Sequence, residues 1–259
     1  MSTLDIRRDG AVARVFLNRP DVRNAFNDET IAELTMAFAA LAKEADLRAI
    51  VLGAHGKAFS AGADLNWMRA MADYDWEQNH ADATRLAEML WTIYSSPLPV
   101  VGRIQGDCYA GGVGLAAVCD VLVAAEGVQF CLSEAKLGLL PGTISPYVIR
   151  AMGEQAARRY FITAERFGAA EAQRMGFVHE VCPAGELDAK VEGVLSALVA
   201  NGPAAVKACK RLVQDMAGQS ITANLRDDTA RRIADIRASD EGREGVRSFL
   251  EKRAAPWVT

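Results

Sequence analysis

The sequence predicts an α/β fold with a helical C-terminal region, on three observations. Short apolar, β-rich runs alternate with helical periods through the first half of the chain, the pattern of parallel strands joined by crossover helices. Two glycine-bearing stretches, 57–65 and 105–120, each follow such a run and each lead into a helical period. Past residue 181 the strands stop and the remaining patterns are helical. The expected division is a core over 1–200 and a helical region over 201–259.

Taken in order, residues 4–8 and 11–17 flank Asp9-Gly10, a hairpin signal. Asn18-Arg19-Pro20-Asp21 ends the second strand, and a helix is expected over 28–45 from its apolar period Ile31, Leu34, Phe38, Leu41 and Ala42. Residues 49–53 read as a buried strand, and 63–71 and 80–94 as helices. The acidic and aromatic stretch 72–77 is expected as a mobile connection. Residues 99–104, introduced by Pro97 and Pro99, read as another buried strand. The next helix, 111–118, is apolar on every side and therefore buried. Strands follow at 120–124 and 128–132. Helices are expected over 154–161, 169–175, 187–200, 203–216, 221–236 and 241–253, interrupted by a short strand at 177–181. The amphipathic faces of the last helices need something to pack on, which points to self-association.

Composition removes several classes of function. Lys and Arg number 29 against 33 Asp and Glu, a net charge of −4 with no basic block, so nucleic acid is not an expected partner. Five scattered cysteines, without a CxxC or a Cys/His cluster, predict neither a disulfide scaffold nor a metal site and suit a reducing cytoplasm. Residues 1–8 lack the apolar core of a secretory signal. The longest apolar run, 111–125, is interrupted by Asp120 and too short to span a bilayer, so no membrane is expected either. No GxGxxG opens a βαβ unit, which leaves a dinucleotide site unsupported.

The chemistry is concentrated in the two glycine turns. Glycine has no Cβ, so its backbone can approach a ligand closely, and the first N–H groups of a helix lack partners within it. One such turn reads equally well as tight packing of helix on strand. Two of them, each offering a backbone N–H, can pinch one oxygen between them as an oxyanion hole.

The residues that carry a family signal are Leu17-Asn18-Arg19-Pro20 with Asn24-Ala25, Ala58-Phe59-Ser60-Ala61-Gly62-Ala63-Asp64-Leu65, and Tyr109-Ala110-Gly111-Gly112 through Cys119-Asp120. Phe130-Cys131-Leu132-Ser133-Glu134, Gly138-Leu139-Leu140-Pro141-Gly142 and Phe249-Leu250-Glu251-Lys252-Arg253 complete the set. In this order and spacing they resemble the crotonase superfamily, the enoyl-CoA hydratase/isomerase proteins, along essentially the whole chain. The resemblance implies a spiral of ββα units with a C-terminal helical trimerisation region, a homotrimer or a dimer of trimers, and an acyl-CoA thioester as substrate. It implies no cofactor beyond the coenzyme A of that thioester, and no metal.

Position by position, the resemblance places the oxyanion-hole N–H groups on Ala63 and Gly111. It places the second of the family's two hydratase glutamates on Glu134 and the first on Gly114, a departure from the two-glutamate pattern. Asp107 and Tyr109 are nearby in sequence as replacements. Arg23, with Ala25 two residues on, falls where some relatives contact the CoA phosphate, though a solvated loop arginine reads the same way. The backbone around Lys57, Ser60 and Ala61 would take adenine and the pantetheine amide. Lys252 would reach CoA on a neighbouring subunit, or simply complement the helix dipole. Asp64, Leu65, Trp67, Tyr109, Gly114, Gly142 and Tyr147 are expected around the acyl pocket.

Within the family, Gly114 combines with Ala63-Asp64-Leu65-Asn66-Trp67-Met68, with residues 132–139, and with Ile144-Ser145-Pro146-Tyr147-Val148 in place of the usual Gly-Gly-Thr-Gln. The combination is most similar to methylglutaconyl-CoA hydratases of leucine breakdown, with isohexenylglutaconyl-CoA hydratases close by. Such a substrate carries a distal carboxylate, for which Arg69, Tyr109, Tyr147 and Arg150 are candidate partners. One carboxylate also suffices for a Δ3,Δ2-enoyl-CoA isomerase, and a catalytically silent acyl-CoA-binding relative is the third reading.

Overall fold

The computed structural model describes residues 2–258. In chain order the first elements are β1 (Leu4–Asp9), β2 (Val12–Leu17), α1 (Asp28–Leu41), β3 (Ala49–Ala54), β4 (Ala58–Ser60), α2 (Leu65–Met71), α3 (Trp76–Tyr94), β5 (Val100–Ile104), β6 (Asp107–Tyr109) and α4 (Gly111–Ala117). They are followed by β7 (Val121–Ala125), β8 (Gln129–Cys131), α5 (Ser145–Met152), α6 (Glu154–Thr163), β9 (Arg166–Gly168), α7 (Ala169–Arg174) and β10 (Glu180–Cys182). Four helices close the chain: α8 (Leu187–Val199), α9 (Pro203–Met216), α10 (Ala223–Ala238) and α11 (Asp240–Leu250).

Two sheets organise these elements. The larger has the order β1-β2-β3-β5-β7-β10, with β1 antiparallel to β2 and the other pairs parallel. Every residue of β3 is buried, which is why that strand reads as a continuous apolar run rather than an alternation. On α1 the buried set Ile31, Leu34, Phe38 and Leu41 follows the helical period, and Asn27 caps the helix by accepting from Thr30 N–H.

Three strands of the smaller sheet, β4-β6-β8-β9, were not anticipated; only β8, within the strand expected at 128–132, was. Its strands are three residues long, too short to show any period. β4, β6 and β8 run parallel, with Ser60 beside Cys108 and Tyr109 beside Cys131. The stretches that follow them therefore leave the same carboxyl edge, and these are the three that carry Ala63, Gly111 and Glu134. The carboxyl edge of parallel strands is where α/β folds place their ligands.

Other expectations are corrected. The connection expected at 72–77 is shorter: residues 72–75 join α2 to α3, which starts at Trp76, where Asp75 and Gln78 form a reciprocal capping box. Helix α5 was not anticipated; its Pro146 lies in the first turn, where a proline costs no hydrogen bond. The expected strand at 177–181 lies at Glu180–Cys182, and α1 ends at Leu41 rather than 45. The helix 111–118 is buried as expected, every residue from Gly112 to Ala117 being enclosed. The C-terminal helices ride on the core through α9, where Lys210 Nζ donates to Asp120 Oδ2 at 2.7 Å and to Leu98 O at 3.0 Å.

Candidate active site

The Ala63 turn is braced by the loop after β2. Asn24 is buried, its side-chain N–H groups donate to His55 O and Ala58 O, and its carbonyl accepts from the Ser60 hydroxyl. Arg19 donates to Ala25 O at 2.6 Å and to Asp64 Oδ2 at 2.9 Å. Phe26 N–H donates to Gly62 O and Asp64 N–H donates to Phe26 O, both at 2.7 Å. In such a parallel bridge the intervening residue points its own N–H the other way, so Ala63 N–H faces away from Phe26. Among the described residues nothing accepts from it.

The Gly111 turn is bonded to the neighbouring strand instead. Ala110 N–H donates to Cys131 O at 2.8 Å, and Ala110 itself sits at φ 47°, ψ −119°, a region L residues seldom occupy. That turn presents Gly111 N–H, the first of α4, which likewise has no acceptor among the described residues. The two turns touch: a Cβ on Gly62, whose φ is +91°, would stand 2.9 Å from Ala110 Cβ and 3.7 Å from Gly111 N. A Cβ on Gly112 would meet Ser60 O at 2.9 Å, so α4 can lie against β4 only with glycine there.

Glu134 opens a short 3-10 turn, Glu134–Leu137, three residues past Cys131. Its Oε2 is buried and has no hydrogen-bond partner among the described residues. Burial pushes its carboxyl pKa above the ordinary value of 4.5, with only a backbone hydrogen bond pulling the other way. The carboxyl edge of the small sheet thus carries two free N–H donors on touching turns and one buried, unpartnered carboxylate oxygen. The donors can polarise a carbonyl, and the carboxylate can move a proton.

The other expected site residues scatter. A side chain on Gly114 would have to displace Ile144, because a Cβ there would stand 2.0 Å from Ile144 Cγ2. Asp64 is a fixture rather than pocket wall, its carboxylate capping α2 through Asn66 N–H and holding Arg19. The Ser60 hydroxyl is fully buried between Asn24 O and Gly62 N–H, and Ala61 N–H is taken by Arg23 O. Both backbone polar groups of Ala25 are occupied internally. Tyr109 donates to Asp107 Oδ2, which ties up the acid and the phenol considered as second proton carriers, and Arg166 lies 5.3 Å over the phenol ring. Trp67 packs against the core and donates to Asp82, whereas Leu65 is exposed. Tyr147 and Arg150 line a different cavity, of about 270 Å³, with Tyr94, Asp120 and His179. Arg23, Lys57, Arg69, Gly142 and Lys252 are exposed. What the sequence reading missed is the bracing role of Arg19 and Asn24 and the packing of Ile144. The first two were in the motif, but only the fold shows what they hold.

Among the described residues no helix is long and apolar enough to cross a membrane, and no group of three His, Cys, Asp or Glu side chains is placed to hold a metal. The enoyl-CoA hydratase/isomerase family model matches residues 7–259. A crystal structure of an enoyl-CoA hydratase from Shewanella pealeana superimposes with a TM-score of 0.95 at 42% identity, covering 98% of this chain and 96% of that one. AtuE of Pseudomonas aeruginosa gives 0.95 at 34% identity over 99% and 100%. The 2,3-dehydroadipyl-CoA hydratase of Escherichia coli is 32% identical over 259 residues, 98% of this chain and 97% of its own. With the family model spanning nearly every residue and these relatives matching end to end, the chain is an enzyme of the enoyl-CoA hydratase/isomerase family, in the crotonase superfamily.

Proposed function

We propose that the protein adds water across the C2=C3 double bond of an enoyl-CoA thioester, with Glu134 as its one acid–base group. The observation that carries this is the partnerless, buried Glu134 Oε2 at the sheet edge that also presents the Ala63 and Gly111 N–H groups. The thioester oxygen sits between the two donors. Glu134 takes a proton from water as the water oxygen bonds to C3, and the C2=C3 π electrons move toward the thioester oxygen as an enolate. The enolate collapses, and the proton on Glu134 passes to C2. One water is consumed and the carboxylate is restored. This proton chemistry calls for neither metal nor redox group.

A substrate with a distal carboxylate, of the (methyl)glutaconyl-CoA type, is the proposed subclass, supported by the motif set around Gly114 and by the diacid ester named for the Escherichia coli relative. The exposed Phe249 and Leu250 of α11 support self-association as a trimer or dimer of trimers. The packing of Ile144 on Gly114 also keeps the isomerase reading alive, since a single carboxylate can equally move a proton between C2 and C4.

The test is a panel of 3-methylglutaconyl-CoA, crotonyl-CoA and a 3-enoyl-CoA, read by mass spectrometry and chromatography, on wild type and Glu134→Gln. Gain of water by the wild type and a loss of at least about a hundredfold in the variant are expected, the scale of general acid–base catalysis. A double-bond shift without mass change selects the isomerase. Wild-type rates in the variant remove Glu134 from the mechanism.

A further inference from the structure

Two peptide groups and one guanidinium stand in line behind the Ala63 donor. In a trans peptide the C=O of one residue and the N–H of the next point in opposite directions. Ala63 N–H therefore points away from Gly62 O, and Gly62 O accepts from Phe26 N–H at 2.7 Å. Phe26 N–H belongs in turn to the peptide whose oxygen is Ala25 O, and Ala25 O accepts from Arg19 Nη1 at 2.6 Å. The line runs from the Arg19 guanidinium through peptide 25–26 and peptide 62–63 to the free N–H of Ala63. Both bonds lie at or below the short end of the usual N–H···O range. Hydrogen bonds linked in this way polarise one another, so a peptide whose carbonyl is pulled on becomes a stronger N–H donor.

The cation at the far end is itself held. Arg19 N–H donates to Asn24 Oδ1 at 2.9 Å, and Asn24 N–H donates to Arg19 O at 2.8 Å. Arg19 Nη2 donates to Asp64 Oδ2, and the other oxygen of that carboxylate accepts from Asn66 N–H. The arginine side chain is 23% exposed, so salt screens its charge only in part. The Gly111 donor has no such cation behind it: Ala110 O, on the same peptide, accepts from Val113 N–H at 2.9 Å and Gly114 N–H at 3.4 Å.

We propose that Arg19 is a positioning residue of the oxyanion hole: through Ala25 O and Gly62 O its guanidinium fixes the direction of Ala63 N–H and strengthens it as a donor to the thioester oxygen. The inference rests on the reading of Ala63 N–H as an oxyanion donor. Its benefit grows with the charge on that oxygen, so it acts on the enolate more than on the bound ester.

The experiment is isotope-edited infrared spectroscopy of butyryl-CoA carrying a labelled thioester carbonyl, a saturated ester with no double bond to hydrate, bound to the wild type and to Arg19→Met. The kinetics of crotonyl-CoA hydration are measured beside it. In the wild type the C=O stretch of the bound ester is expected below its solution value, and in Arg19→Met it should return toward that value. The variant should lose about tenfold in kcat, less than the roughly hundred- to thousandfold of removing a donor outright. Its KM should be largely kept and its acid kinetic limb unmoved, because Glu134 is untouched. A merely structural role would lower the amount of folded enzyme without moving the carbonyl frequency. A folded Arg19→Met protein with the wild-type frequency and kcat overturns the proposal. Should that variant not fold, Arg19→Gln decides, since it keeps an N–H donor for Ala25 O without the charge. Its frequency is expected between the wild-type and solution values, and wild-type frequency and rate overturn the proposal. An unshifted carbonyl in the wild type would strike down the oxyanion-hole reading and this inference with it. A wild type that shifts the carbonyl but hydrates no ester would strike only the hydratase reading, and the Arg19 comparison would still decide.

Discussion

Asp120 and Glu134 are two partly buried carboxylates fourteen positions apart, and the fold treats them in opposite ways. Burial pushes both carboxyl pKa values up. Asp120 is then compensated: it accepts from Val100 N–H and from Lys210 Nζ, each at 2.7 Å, and the lysine side chain is only 7% exposed. Glu134 Oε2 receives nothing. A buried polar atom without a partner typically costs about 1–3 kcal/mol. A scaffold has no reason to bear that cost, whereas a site that must hold a reactive base does. The contrast separates a fixture, which ties the C-terminal helices to the core, from a working group.

The comparison can be broken at its fixed end with the largest effect. Lys210→Met leaves Asp120 enclosed with half its compensation gone, and about 3 kcal/mol of stability should be lost in denaturant melts, the lower end for a broken buried pair because Asp120 keeps 29% of its side chain exposed. Adding Asp120→Asn should recover much of the loss. A melt unchanged by Lys210→Met would show that the junction is not what seats α9.

At the other end the sign reverses. Glu134→Gln removes a charge whose Oε2 has no partner and whose hydrogen bonding is confined to its own backbone, and should stabilise the fold by about 1 kcal/mol near neutral pH, some 2–4 °C for a chain of this size. The pH dependence follows from the raised carboxyl pKa. The folded state holds that proton more tightly than the unfolded chain, so the wild type is relatively favoured below the ordinary value of 4.5 and loses that advantage as pH rises through the raised one. The gain from glutamine should therefore appear on the alkaline side of that window and vanish in acid. A drop in melting temperature at neutral pH would mean that Glu134 has a partner after all.

Much of this contrast was legible in the sequence. The turns that carry Ala63 and Gly111 announced themselves locally, because glycine turns and a helix apolar on all sides are written in consecutive residues, whereas Glu134 was marked only by the family resemblance. What was not legible depends on contacts between distant segments. The small sheet is built from three-residue strands that have no period of their own, so the shared edge of the three motifs could not be seen. Asp120 read as the start of a strand, and nothing near it in sequence points to Lys210, ninety positions on. The glycine at 114 was noticed as a missing glutamate, but the volume it vacates belongs to residue 144. Nor does anything near Tyr147 in sequence announce its ring contact with Tyr94, 5.2 Å between centroids.

The smallest effect is also the sharpest test of which carboxylate works. A general base acts only when deprotonated, so kcat/KM should fall as pH drops through the Glu134 pKa of the free enzyme. Because burial raises that pKa, the limb should lie above the ordinary 4.5. Asp120 is raised too, yet its titration bears on how α9 is held and not on the reacting proton. Asp120→Asn should accordingly alter how stability varies with pH and leave the position of the kinetic limb where it was. If the limb moved with Asp120, the two carboxylates would be coupled and the division between fixture and working group would fail. If it lay at or below 4.5, Glu134 would be better solvated than its burial implies, and its role as the base would have to pass to another group.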